Sequence, residues 1–113
     1  MDQPGTAQYT LIPDEQGGAV DDAYLYRLDR EEYLLVVNAS NREKDWEWLH
    51  RFLARFPGAV LEDRSEELAM MALQGPASER IIEEILHQPG NAGALPAPFR
   101  NAMSLVRIGE DQV

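Results

Sequence analysis

Ala19-Val20-Asp21-Asp22-Ala23-Tyr24-Leu25-Tyr26-Arg27-Leu28, then Asp29-Arg30-Glu31-Glu32, then Tyr33-Leu34-Leu35-Val36-Val37-Asn38, is the stretch that decides the fold class. The first run alternates, placing Tyr24, Tyr26 and Leu28 on one face and Ala23, Leu25 and Arg27 on the other. The polar quartet is a turn. The second run is apolar on both faces, which predicts a central strand covered on both sides.

Working outward, Gln8-Tyr9-Thr10-Leu11-Ile12 predicts a strand that stops at Pro13. Asp14-Glu15-Gln16-Gly17-Gly18 supplies the turn of a hairpin. Beyond Asn38 the period changes. Ser40 and Glu43 fit a capping box, with Asn41 as a competing N-cap. Trp46, Leu49, Phe52, Leu53 and Phe56 form one face of an amphipathic helix that Pro57-Gly58 ends. Ala59-Val60-Leu61 and Leu68-Ala69-Met70-Met71-Ala72-Leu73 are expected to be short strands, the latter buried. Pro76 suits the first turn of a second helix, whose apolar face is Ile81, Ile82, Ile85 and Leu86. Residues 89–98 read as a loop and 102–108 as a last strand. The sum is an α+β fold, a mainly antiparallel sheet with two helices. A composition change near 57–66 suggests a boundary between lobes.

The chain has 113 residues, which bounds it to one domain at most. At 44% hydrophobic and 27% charged, it has the composition of an ordinary folded chain. No apolar run is long enough to span a bilayer, and the N-terminus lacks the basic and apolar regions of a secretory signal. Ten Lys and Arg stand against 20 Asp and Glu, a net charge of -10 that repels nucleic-acid backbones. With no Cys, thiolate metal sites, iron–sulfur ligation and Cys nucleophiles are excluded, and no metal site is expected. His50 and His87 read as surface or helix-end residues.

Chemistry is best sought at Asp21-Asp22. Strands disfavour Asp, and alternation lets only one of two adjacent acids enter a given pocket. Asp22 shares a face with Tyr24 and Tyr26, so a carboxylate and phenol rings could cradle a flat aromatic ligand. Asn38, at the strand-to-helix junction, offers an amide donor and acceptor that complement a pterin or purine edge. The competing reading is a solvated hairpin arm, a tyrosine pair packed across strands and an Asx turn.

These pieces together carry a resemblance. Gln8-Tyr9-Thr10-Leu11, Gly17 to Asp22, Tyr26-Arg27-Leu28, Glu32 to Ala39, Asn41 to Trp46 and Leu68 to Pro76 occur in the order found in the T-protein of the glycine cleavage system, an aminomethyltransferase family. The chain resembles an internal piece of such an enzyme, part of the T-protein folate-binding fold. The family's gly-tyr-thr-gly-glu segment and its downstream folate-contacting Glu and Arg have no counterpart here.

The resemblance implies transfer of a one-carbon unit from the aminomethyl-lipoyl arm of H-protein to tetrahydrofolate, with release of ammonia. It places the family's essential aspartate on Asp22 and the pterin-binding residue on Asn38. Tyr9 and Tyr26 fall on pocket-lining positions. Partners are then lipoylated H-protein and tetrahydrofolate, with no nucleic acid or membrane. The location is the cytoplasm, or the mitochondrial matrix in a eukaryote. The piece alone is expected to be inactive. Rival readings are a folate-binding relative in iron–sulfur cluster maintenance, the tetrahydrofolate domain of a dimethylglycine or sarcosine dehydrogenase, and an acidic interaction module. The Asn41-to-Trp46 helix start favours the aminomethyltransferase.

Overall fold

A computed structural model describes residues 1–109 and the backbone of 111–112. Three strands, β1 (Thr6–Pro13), β2 (Ala19–Arg27) and β3 (Tyr33–Val37), form an antiparallel sheet in the order β1-β2-β3. A 3-10 turn at Ala39–Asn41 leads into α1 (Arg42–Leu53). Further on come α2 (Ser78–Leu86) and a two-stranded ribbon of β4 (Arg107–Ile108) and β5 (Asp111–Gln112). The α+β expectation holds.

The first hairpin turn is built on one side chain. Asp14 Oδ1 accepts from the backbone N–H of Gln16 at 2.8 Å and of Gly18 at 2.7 Å, and Asp14 N–H donates to Gly18 O at 2.8 Å. Gly17 has φ +87°, a left-handed conformation that side chains disfavour. A Cβ on Gly18 would lie 2.5 Å from Asp14 Oδ2, so this glycine makes room for the carboxylate that ties the turn.

The chain divides into two compact units. One comprises Gln8–Tyr26 and Tyr33–Met70. It contains most of the sheet, α1 and the two buried apolar residues, Ile12 and Ala23. Leu34 to Val37 are half-buried and Tyr33 is exposed. Arg42, the first residue of α1, donates to Asp63 Oδ2 from Nε at 3.1 Å and from Nη2 at 3.0 Å. Its Nη1 donates to Glu66 Oε1 at 2.7 Å. These bonds fasten the segment after the helix to the helix start.

The other unit comprises Met1–Ala7, Arg27–Glu32 and Met71–Val113. Here Gly5 N–H donates to Arg27 O at 3.0 Å, and Met103 N–H to Gly5 O at 3.0 Å. The half-buried face of α2 is Ile81, Ile82, Ile85 and Leu86, as the pattern predicts. Asn91 Nδ2 donates to Ile85 O at 2.5 Å, adding a side-chain donor to a carbonyl that also accepts from Gln88 N–H at 3.1 Å. Residues 89–98 form no strand, yet they are tethered. Ala92 bridges Arg107 through bonds of 2.9 and 2.7 Å, and a Cβ on Gly93 would lie 2.6 Å from Val106 Cγ1.

Several expectations are corrected. β3 is an edge strand of the sheet, since among the described residues only β2 pairs with it. Residues 59–61 and 68–73 are strand-like in composition but among the described residues pair with nothing in a sheet, and Val60, Met70 and Met71 are more than 80% exposed. A strand needs a ladder partner, and propensity cannot supply one. The final strand shrinks to Arg107–Ile108, with Ala102 making only an isolated bridge to Thr6. α1 ends at Leu53, before Pro57, and leaves Phe56 exposed. The Ser40–Glu43 capping box does not form: Asn41 takes the N-cap position with no side-chain capping bond.

Candidate functional site

The sheet brings Tyr9, Asp22 and Asn38 together. The Tyr9 hydroxyl donates to Asp22 Oδ2 at 2.8 Å across β1 and β2. Asn38, one residue past β3, reaches Asp22 Oδ1 at 3.1 Å and Asp22 O at 3.3 Å through Nδ2. Each Asp22 carboxylate oxygen therefore has its own donor, which fixes the plane of the group. Asp22 is half-buried, while Tyr9 and Asn38 stay exposed. The site is open on one side.

The tyrosines line up along this face. The Tyr9 and Tyr24 rings meet edge-on with centroids 6.1 Å apart, and Tyr24 lies 5.6 Å from Tyr26 at a tilted angle. Tyr26 thus joins the cluster through Tyr24 rather than through Asp22. The Tyr9 phenol is pushed above its ordinary 10.0, first by its bond to Asp22, then by burial and by the charges of Asp22 and Asp21. It stays a donor across the physiological range.

The expectation that only one of the paired acids enters the site is corrected. The same Asn38 Nδ2 that binds Asp22 also lies 3.1 Å from Asp21 Oδ1. Alternation fixes the direction of Cβ; the terminal oxygens of two aspartates can still converge on an amide beside the strand. Burial alone would raise the Asp21 carboxyl. Bonds from Asn41, the Asp22 backbone N–H, Asp45 and Asn38 overcome that and hold it at about 2.

Two members of this network are not foreseen from the sequence. Asn41 helps hold the Asp21 carboxyl low and makes no side-chain capping bond to α1. Asp45 is completely buried in the first turn of α1. The signal for Asp45 was present: it stands four residues before Leu49 and seven before Phe52, on the apolar stripe. Lys44 lies beside it and donates from Nζ to Val20 O at 2.7 Å. The histidines do lie at the surface. His50 stacks on Trp46, and His87 Nδ1 sits 2.6 Å from Glu83 O at the end of α2. Among the described residues no group of three or more His, Cys, Asp or Glu is arranged to hold a metal ion.

The family model described as the GCVT N-terminal domain matches residues 1–105. The chain belongs to this family. It is 46% identical over 96 residues to an aminomethyltransferase of Prosthecochloris aestuarii, covering 85% of this chain and 26% of that protein. It is 50% identical over 107 residues to an aminomethyltransferase of Geobacillus thermodenitrificans, covering 94% and 28%. An aminomethyltransferase of Thermus thermophilus is 50% identical over 82 residues, covering 73% and 23%. The chain thus spans about a quarter of the length of the curated relatives it matches. No solved structure gives a significant match. Among the described residues no helix is long and apolar enough to cross a membrane.

Proposed function

We propose that this chain forms the Asp22 wall of a tetrahydrofolate site in a glycine-cleavage aminomethyltransferase. The observation that carries the reading is the Asp22 carboxylate, held by Tyr9 at one oxygen and Asn38 at the other, next to a row of tyrosine rings. The relatives named aminomethyltransferase support it.

The residues fit a reduced pterin by their chemistry. The tyrosine faces suit a flat heterocycle, and a carboxylate and an amide suit its N–H-bearing edge. Asn38 commits its nitrogen to the two acids, which leaves its amide oxygen to accept from a ligand N–H. Tetrahydrofolate supplies the nitrogens that accept the one-carbon unit. The chain's own part is to hold charge in place. Asp22, tied at both oxygens, presents a fixed anion that needs no reorganisation when positive charge develops nearby. The lipoyl-bearing H-protein would deliver the carbon unit, and Asp22, Asn38, Tyr9 and Tyr26 would orient the acceptor.

The test is methylene-tetrahydrofolate formation from an aminomethyl-lipoyl carrier by the protein that carries this chain. Asp22→Asn keeps the shape and removes the charge. Turnover should fall by about 10²-fold or more, on the scale of losing one preorganised electrostatic group. Near-normal turnover would remove Asp22 from the reaction.

A further inference from the structure

Asp45 is the fully buried side chain of the described chain, and it is an acid. Neither of its carboxyl oxygens meets a hydrogen-bond donor, and Asp21 Oδ2 is likewise buried and without one. The Asp45 and Asp21 carboxyls lie within hydrogen-bond range of each other. Three orphaned acceptors in one dry place are not tolerated as two anions. Acceptor faces acceptor only with a proton between them.

We propose that Asp45 is a positioning residue of the Asp22 site, carried in the fold as the neutral acid and donating its proton to the Asp21 carboxylate. The donor pattern decides which partner holds the charge. Asp21 receives bonds from Asn41, from the Asp22 backbone N–H and from Asn38; Asp45 receives none. Asp21 from β2 and Lys44 from α1 are the charged groups acting on Asp45, and the Lys44 ammonium is turned to Val20 O. Burial, the bond to Asp21 and the charge of Asp21 all raise the Asp45 carboxyl, and Lys44 opposes them weakly.

The consequence runs along a chain of side chains. The Asp45 proton holds Asp21, Asp21 holds the Asn38 amide, and that amide holds Asp22, which Tyr9 grips from the other side. The significance of this chain for transfer rests on the reading of Asp22 given above. The shared proton itself does not, and its test involves no folate, so the two ideas fail separately.

An acid raised on folding contributes stability that is fully present below its unfolded value of 3.8 and lost as pH rises through the folded value. Asp45→Asn keeps the shape and a permanent N–H donor. The ratio of folding constants, variant over wild type, should be flat below 3.8 and rise above it by up to about tenfold per pH unit. A flat ratio up to neutral pH overturns the proposal. Infrared difference spectra of the wild type against Asp45→Asn should show a protonated-carboxyl stretch at neutral pH in the wild type alone; its absence there also overturns it. Finally, the Asn38 side-chain amide should exchange with solvent at the wild-type rate in Asp45→Asn and faster in Asp45→Leu. Equal protection in both variants shows that bulk alone supports Asn38 and sinks the positioning role.

Discussion

Tyr9 and Asp22 stand thirteen positions apart, and their hydrogen bond exists only because β1 and β2 pair. A hydrogen bond to a charged group is strong when dry and weaker in water, and Tyr9 is 56% exposed. Tyr9→Phe should therefore act on the site more than on the fold. On the proposed folate reading, the Michaelis constant for tetrahydrofolate of the protein that carries this chain should rise about three- to tenfold, the scale of one partly solvated charged hydrogen bond, with little change in thermal midpoint. The phenol gives a second readout. A group raised on folding favours the folded state below its unfolded value, here 10.0, and loses that contribution as pH climbs through the folded value. Phenolate absorbance should show Tyr9 ionising above its ordinary 10.0, and Asp22→Asn should return it toward that value. A Tyr9 phenol that ionises alike with and without the Asp22 charge would separate Tyr9 from Asp22. At this scale much of the site was legible in the sequence: Asp22, Tyr9 and Asn38 do meet. Asp45 stands on the apolar stripe, but that spacing is a weak sign of burial for an acid, because acids are mostly solvated.

Local chemistry made the hairpin readable and nonlocal pairing hid the rest. Asp14 and Gly17-Gly18 specify their turn within five residues, so the sequence suffices there. Gly17→Ala should cost about 1–2 kcal/mol in a denaturant titration, the penalty of a left-handed conformation for a residue with a Cβ; no cost would mean the turn rearranges freely. Residues 59–61 and 68–73 have strand composition, but among the described residues nothing pairs with them in a sheet, and a ladder is not a local property. The segment from 62 to 67 is held instead by Arg42. Asp63 sits at about 2, through bonds from the Ser65 hydroxyl and N–H first and from Arg42 next. A carboxyl lowered on folding stabilises the folded state above its unfolded value of 3.8 and loses that contribution as pH falls toward about 2. Arg42→Ala should leave α1 helical by circular dichroism while amide exchange across 62–67 accelerates. Unchanged exchange would show that the Asx turn at Asp63 and Ser65 suffices without the helix anchor.

Across the whole molecule two terms oppose each other. Among the described residues only Ile12 and Ala23 are buried apolar side chains, whereas Val60, Leu68, Met70, Met71 and Leu73 are between 45% and 89% exposed. Apolar surface left in water favours association. A net charge of -10 resists it, because like-charged copies repel. Salt decides between the two, since screening shortens the reach of charge from about 30 Å at 0.01 M to about 3 Å at 1 M and leaves apolar attraction in place. The 113-residue chain should therefore sediment near its 12.8 kDa monomer mass in dilute salt and grow heavier with both concentration and ionic strength. The double substitution Met70→Ser and Met71→Ser, which removes the two most exposed methionines, should hold it near the monomer mass at the same salt. Association that weakens as salt rises would point to ion pairing instead, with Arg55–Glu15 and Arg80–Glu84 as exposed pairs able to exchange between copies. A monomer at every salt and concentration would mean that the 68–73 segment finds cover within its own chain in solution.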